Sequence, residues 1–170
     1  MSETTDTYVA RILGYLGTRD PIEVMESTPP ALAGLTKGLD AAKLQQRPGP
    51  KKWSIQEILA HLADTETVLS FRLRKILETD GVEIQAYDQD KWAELGRYVS
   101  APVTESLDRL RSLRSANVRL LRSLSPAQLA RAGMHAERGR ESIAHISRLW
   151  AGHDLNHRSQ IEKIVDSKAS

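Results

Sequence analysis

The sequence contains no cysteine, which excludes disulfides, thiolate metal sites and a protein thiol nucleophile together. Any metal must be held by His, Asp or Glu, and any thiol chemistry must take its thiol from a small molecule. Charge of one sign is missing too: 24 Lys and Arg stand against 22 Asp and Glu, a formal net charge of +2 over 170 residues. Nucleic-acid binding needs Lys and Arg gathered on one face. Arg109, Arg111, Arg114, Arg119 and Arg122 come closest, but their spacing scatters them around a helix, so no nucleic acid is expected as a partner. No run approaches the roughly 18 apolar residues of a membrane span, and the polar residues 1–6 lead into no apolar segment of the signal-peptide kind. The expectation is a cytoplasmic protein, off the membrane, whose partner is a small-molecule substrate.

At this length one domain, 1–170 with its core over about 20–165, is the economical expectation, long enough to bury a sizeable interior. Apolar residues recur at helical steps nearly throughout. Tyr8, Val9, Ile12, Leu13 and Leu16 mark a short helix that Gly17 ends. Asp20-Pro21 reads as an N-cap with proline at the first helical position; Pro29-Pro30 interrupts that helix, and residues 39–52 read as a loop. Ser54-Ile55-Gln56-Glu57 is a capping box. It opens a long helix with Ile55, Ile58, Leu59, Leu62, Leu69, Leu73 and Ile76 inward, ending near Asp80-Gly81. Residues 81–101 are irregular apart from one short helix over 88–95. Pro102 begins the next long helix, facing inward with Val103, Leu107, Leu110, Leu121 and Leu124. Ser125-Pro126 caps a short helix that stops at Gly133, residues 134–139 are a turn, and the last long helix runs from about Arg140 to about Val165. No strand alternation and no internal repeat stands out. The pattern predicts an all-α four-helix bundle with short extra helices in the connections; an all-α domain of different connectivity is the alternative.

The last helix carries a buried stripe of Ile146, Trp150, His153, His157, Ile161 or Gln160, and Ile164. Histidines occupy its middle, where leucine would serve packing better. At i and i+4 two imidazoles project from one face about 6 Å apart at Cβ, which suits two ligands of one metal. The bland reading is two core histidines, each needing its own hydrogen-bond partner. His61, at the edge of the apolar face of the capped helix, supplies a third ligand from a facing helix, as metal sites inside bundles do. Three imidazoles and no further protein ligand leave a coordination position open, the pattern of catalytic sites. His145 lies about 80° around the helix from His153 and is expected to miss the ion; His135 is in the turn.

Two segments then resemble a known family. Trp53-Ser54-Ile55-Gln56-Glu57-Ile58-Leu59-Ala60-His61-Leu62-Ala63-Asp64-Thr65-Glu66 and Gly152-His153-Asp154-Leu155-Asn156-His157-Arg158-Ser159-Gln160-Ile161 are similar to the DinB-like (DinB/YfiT) superfamily. The likeness runs from about Asp20 to Glu162 and includes Tyr87-Asp88-Gln89-Asp90-Lys91-Trp92. The resemblance implies an up-down-down-up four-helix bundle, commonly a homodimer. It implies a divalent metal, nickel or zinc, on His61, His153 and His157. Where the family often has His-Pro-Glu-x-Gly before the last helix, this chain has His135-Ala136-Glu137-Arg138-Gly139, without the proline. Relatives include thiol S-transferases that use mycothiol or bacillithiol, a mycothiol-dependent isomerase, and proteins described as metal-dependent hydrolases.

The function expected is therefore a metal-dependent enzyme that activates a low-molecular-weight thiol or water, giving an S-conjugate or a hydrolysed bond. A metal-binding module without turnover, a stress-response or ligand-binding protein, is the alternative. Asp64, three residues after His61, is a candidate acceptor for a ligand ring, whereas Asp154 turns away from the shared histidine face and reads as a solvated carboxylate. Arg72, Asp88, Trp92, Arg114 and Asn117 are pocket candidates. Arg114 and Asn117 interrupt the apolar stripe between Leu110 and Leu121, so they either face a cavity or mark an exposed level of the helix.

Overall fold

Helices begin where a side chain can accept the orphan N–H groups of the first turn. The computed structural model describes residues 4–167. In it α1 (Thr5–Leu16) starts behind Thr4, α2 (Pro21–Thr36) behind Asp20 and α3 (Ala41–Gln45) behind Asp40, each cap accepting such an N–H. α4 (Ile55–Glu78) opens on the expected capping box, Ser54 and Glu57 each bonding the other's backbone N–H, and Arg47 fastens the Glu57 carboxylate from outside. There follow β1 (Val82–Ile84), α5 (Gln89–Leu95, capped by Asp88), a 3-10 turn (Tyr98–Ser100), α6 (Val103–Ser123), α7 (Pro126–Leu129), β2 (Ala132–His135), β3 (Gly139–Ser142) and α8 (Ile143–Asp166).

Two apolar clusters give the directions of the long helices. One joins Val24 and Met25 early in α2, Leu69, Leu73 and Ile76 late in α4, Val118 and Leu121 late in α6, and Ile143, Ile146 and Trp150 early in α8. The other joins Leu32 late in α2, Ile55 to Leu62 early in α4, Leu110 in α6, and Ile161 and Ile164 late in α8. So α2 and α8 run one way while α4 and α6 run the other, an up-down-down-up four-helix bundle. Parallel neighbours need a crossover, and residues 79–102 supply it. α1 lies across α8 so closely that a Cβ on Gly152 would stand 2.2 Å from the Ile12 carbonyl oxygen.

Between the two clusters lies a buried polar layer. The Arg114 guanidinium donates to Glu66 Oε2 at 2.8 Å, to Asp154 Oδ2 and Oδ1 at 2.5 and 3.1 Å, and to the Met25 carbonyl at 2.7 Å. Asn117 Nδ2 donates to Glu66 Oε1 at 2.8 Å. One side chain of α6 thus ties α2, α4 and α8 together. Arg114 and Asn117 therefore face neither cavity nor solvent, and Asp154 is buried rather than solvated. Their break in the apolar stripe is filled by partners from three other helices, which no single helix reveals.

Several boundaries differ from expectation. Pro29 and Pro30 do not interrupt α2. Proline at 29 removes the N–H that would have bonded the carbonyl four residues back, which is Met25, and Arg114 satisfies that carbonyl instead. Residues 39–52 contain α3. The turn at 134–139 belongs to a three-stranded sheet ordered β1-β2-β3, β2 pairing parallel to β1 and antiparallel to β3. Pairing of Ala132 and Ser142 ends α7 before Gly133 and delays α8 to Ile143. Strands of three or four residues are too short to show alternation. Among the described residues, no helix is long and apolar enough to cross a membrane.

Candidate metal centre

The capping box sets the start of α4 and so the side on which His61 projects. On α8, Trp150, His153 and His157 fall at i, i+3 and i+7 and share one face. The two helices bring three ring nitrogens together. His61 Nε2 lies 3.1 Å from His153 Nε2, which lies 3.1 Å from His157 Nε2, and the three ligand atoms are all within 4.8 Å of one another. Trp53 covers two of the rings, with centroids 4.8 Å from His61 and 6.4 Å from His157, the latter stacked.

Burial keeps these rings neutral. Desolvation, followed by the neighbouring histidines, holds His61 well below the usual histidine range. Desolvation, then the charges of Arg114 and Arg11, lowers His153 to about 4, and desolvation, then His153, lowers His157 to about 3. Neutral imidazole is the coordinating form. His157 Nδ1 is 2.9 Å from Gln160 Oε1; an amide oxygen only accepts, so Nδ1 carries the proton and Nε2 presents a lone pair. Nitrogens about 2.0–2.1 Å from one ion would be about 2.8 to 3.4 Å apart at octahedral to tetrahedral angles; the two 3.1 Å separations fall in that interval, and the third pair lies within 4.8 Å. The donor set fits a divalent metal.

His61 and His153 form part of the wall of a cavity of about 320 Å³. Tyr8 and Ile12 of α1 line it, as do Arg72 of α4, Tyr87 and His135. Burial, then the charge of Arg138, lowers His135, and its Nδ1 accepts the Glu137 backbone N–H at 3.2 Å, so its proton sits on Nε2. The turn residue that the sequence left without a place thus lines the cavity. His145 is outside both the histidine trio and the cavity.

The remaining candidates separate. Arg72 lines the cavity. Asp64 does not orient a histidine: its carboxylate accepts from Tyr98 Oη at 2.5 Å and pairs with Arg109 at 2.7 Å. The acceptor found on a ring of the histidine trio is Gln160, which lies one turn beyond His157 on the same helix. Asp88 caps α5, and Trp92, half-exposed, packs on Tyr87 at 4.6 Å. Sequence reasoning missed Gln160, whose i+3 spacing from His157 was the available signal, and Trp53, which precedes the capping box.

Residues 25–161 match the sequence model of the DinB superfamily. The chain belongs to the DinB superfamily. Among its relatives, a protein of Bacillus mycoides is 31% identical over 84% of this chain and 82% of its own length. One of Oceanobacillus iheyensis is 29% identical over 86% of this chain and 85% of its own. Both bear the name "putative metal-dependent hydrolase". The structure of YfiT from Bacillus subtilis, described as a probable metal-dependent hydrolase with an unusual four-helix bundle topology, superposes with a TM-score of 0.80 at 22% identity, covering 96% of this chain and 88% of that one. The four-helix bundle is common to both.

Proposed function

We propose that this chain is a metal-dependent hydrolase whose ion is held by His61, His153 and His157. The observation that carries the reading is the convergence of three neutral imidazole nitrogens at the wall of a cavity. When bound, a divalent ion such as zinc or nickel supplies Lewis acidity and eases deprotonation of water near neutral pH. The chain's own residues do the rest. Gln160 holds the His157 tautomer, Trp53 shields the rings, and Asp154, clasped by Arg114, anchors α8 beside His153. His135 holds a proton on Nε2 at the cavity wall for a substrate oxygen. The names borne by relatives support water as the reactant, and a low-molecular-weight thiol is the reading to be separated from it.

Elemental analysis of purified protein should give about one equivalent of divalent metal, lost on His61→Ala, His153→Ala or His157→Ala. Hydrolysis of an ester and amide panel should vanish with chelator and return with zinc or nickel. Metal retained in the variants, or hydrolysis indifferent to chelation, contradicts the proposal. Turnover that requires an added thiol and yields an S-conjugate replaces hydrolysis with transfer.

A further inference from the structure

Arg72 carries a positive charge that its neighbours do not neutralise. The residue is 6% exposed, yet its direct partners are uncharged: Nη2 donates to the Gln85 carbonyl at 2.7 Å, and the guanidinium carbon lies 5.9 Å from the centre of the Trp150 ring. Among the described residues, no carboxylate forms an ion pair with it within 4.0 Å. Glu141 acts on it only from further off and is itself clasped by Arg138 at 2.6 and 3.0 Å. Glu137, the acid on the cavity wall, is exposed. Buried guanidinium groups are ordinarily paired with an acid, because desolvation of the charge is otherwise uncompensated. The Gln85 bond uses one of five N–H donors, and no Arg72 nitrogen is both bondless and sealed from solvent.

Position gives this charge a use. His61, Thr65 and Arg72 are separated by four and seven residues, so at 100° per residue they fall within about 40° on one face of α4, and all three line the cavity. Eleven residues correspond to about 16 Å of helix rise, shortened by the backward tilt of the long Arg72 side chain. On α8, which runs opposite to α4, Trp150 and His153 come in the reverse sequence order: the ring against Arg72 first, the histidine three residues on. The cavity is thus elongated, with neutral histidines toward one end and Arg72 toward the other; the second arginine on the wall, Arg138, is already paired with Glu141.

We infer that Arg72 anchors a carboxylate of the substrate, so that the cavity takes an elongated organic acid whose scissile bond lies toward the histidines. The orientation of the acid rests on the histidines being the reactive end; the carboxylate anchor does not. The planar guanidinium fork matches a carboxylate in two parallel N–H···O bonds, and Trp150 holds that plane from one side.

The test is calorimetric titration of glutarate, its monoamide and its diamide into wild-type protein, Arg72→Lys and Arg72→Gln, each metal-free and with one equivalent of zinc. Wild-type protein should bind the two acids in both states and the diamide at least tenfold more weakly. Arg72→Gln should lose that preference, and Arg72→Lys should keep part of it. Equal binding of acid and diamide, unchanged acid binding in Arg72→Gln, or no acid binding at millimolar concentration overturns the inference. If Arg72→Gln does not fold, the acid-to-diamide ratio of wild type and Arg72→Lys decides. Acid binding by metal-free protein upholds the anchor even where no metal is held. Stoichiometric zinc with no acid binding rejects the anchor and leaves the metal reading intact.

Discussion

An imidazole coordinates through whichever nitrogen lacks the proton, and a partner on the other nitrogen makes that choice. Gln160 makes it for His157 with a single bond of 2.9 Å, from a position that is itself exposed. Because little packing depends on it, Gln160→Ala should change unfolding free energy by no more than about 0.5 kcal/mol. The same substitution should weaken zinc binding roughly ten- to a hundredfold, read by competition with a chromophoric chelator. Affinity equal to wild type would remove Gln160 from the site. Residues of this kind explain what one sequence shows and what it hides. The i, i+4 histidines inside an apolar stripe are legible because helical geometry fixes their relation. His61 is legible as a position on a capped helix. That Asp64 turns to Tyr98 and Arg109 is not, since both arrive through the crossover from residues 34 and 45 positions away.

Proline within α2 shows how one element's defect becomes another's bond. Pro29 leaves the Met25 carbonyl without its helical donor, and Arg114 of α6 donates to it while also holding Glu66 of α4 and Asp154 of α8. Sequence reading predicts a broken helix at that point because the rescuing donor lies 85 residues on. The same layer has energetic weight: Arg114 is 2% exposed, Glu66 0% and Asp154 1%, so its removal leaves two carboxylates without their cation. Arg114→Met should therefore cost about 3–5 kcal/mol, measured by urea unfolding of the metal-free protein. Adding Glu66→Gln and Asp154→Asn to that variant should recover part of the loss, because a neutral amide tolerates burial better than an unpaired charge. No recovery in the triple variant would assign the cost to packing rather than to charge.

At the scale of the whole molecule, the long helices were legible because each has an apolar face tens of ångströms long and a start marked by a capping side chain or, for α6, by Pro102. The bundle directions follow once those faces must close on one another. The small sheet was not, since β1 and β2 pair across 50 residues and neither is long enough to alternate. The placing of α1 was also hidden: its apolar spacing predicts a helix, but not that it would roof the cavity with Tyr8 and Ile12. Gly152 makes that roof possible. A methyl group there would stand 2.2 Å from the Ile12 carbonyl oxygen and 3.0 Å from its Cγ2, and backbone cannot turn aside as a side chain can. Gly152→Ala must then push α1 away from α8, and overpacking of this kind costs about 1–3 kcal/mol. The cost should fall mainly on α1, which enters the first apolar cluster through Leu16 at its end, whereas α2, α4, α6 and α8 supply the other members of both clusters over their whole length. Hydrogen exchange should accelerate across residues 5–16 and stay slow in α4 and α8, while zinc stoichiometry holds, since α1 supplies none of the three histidines. Uniformly faster exchange would instead make α1 part of the cooperative core, and the cavity roof as rigid as the bundle beneath it.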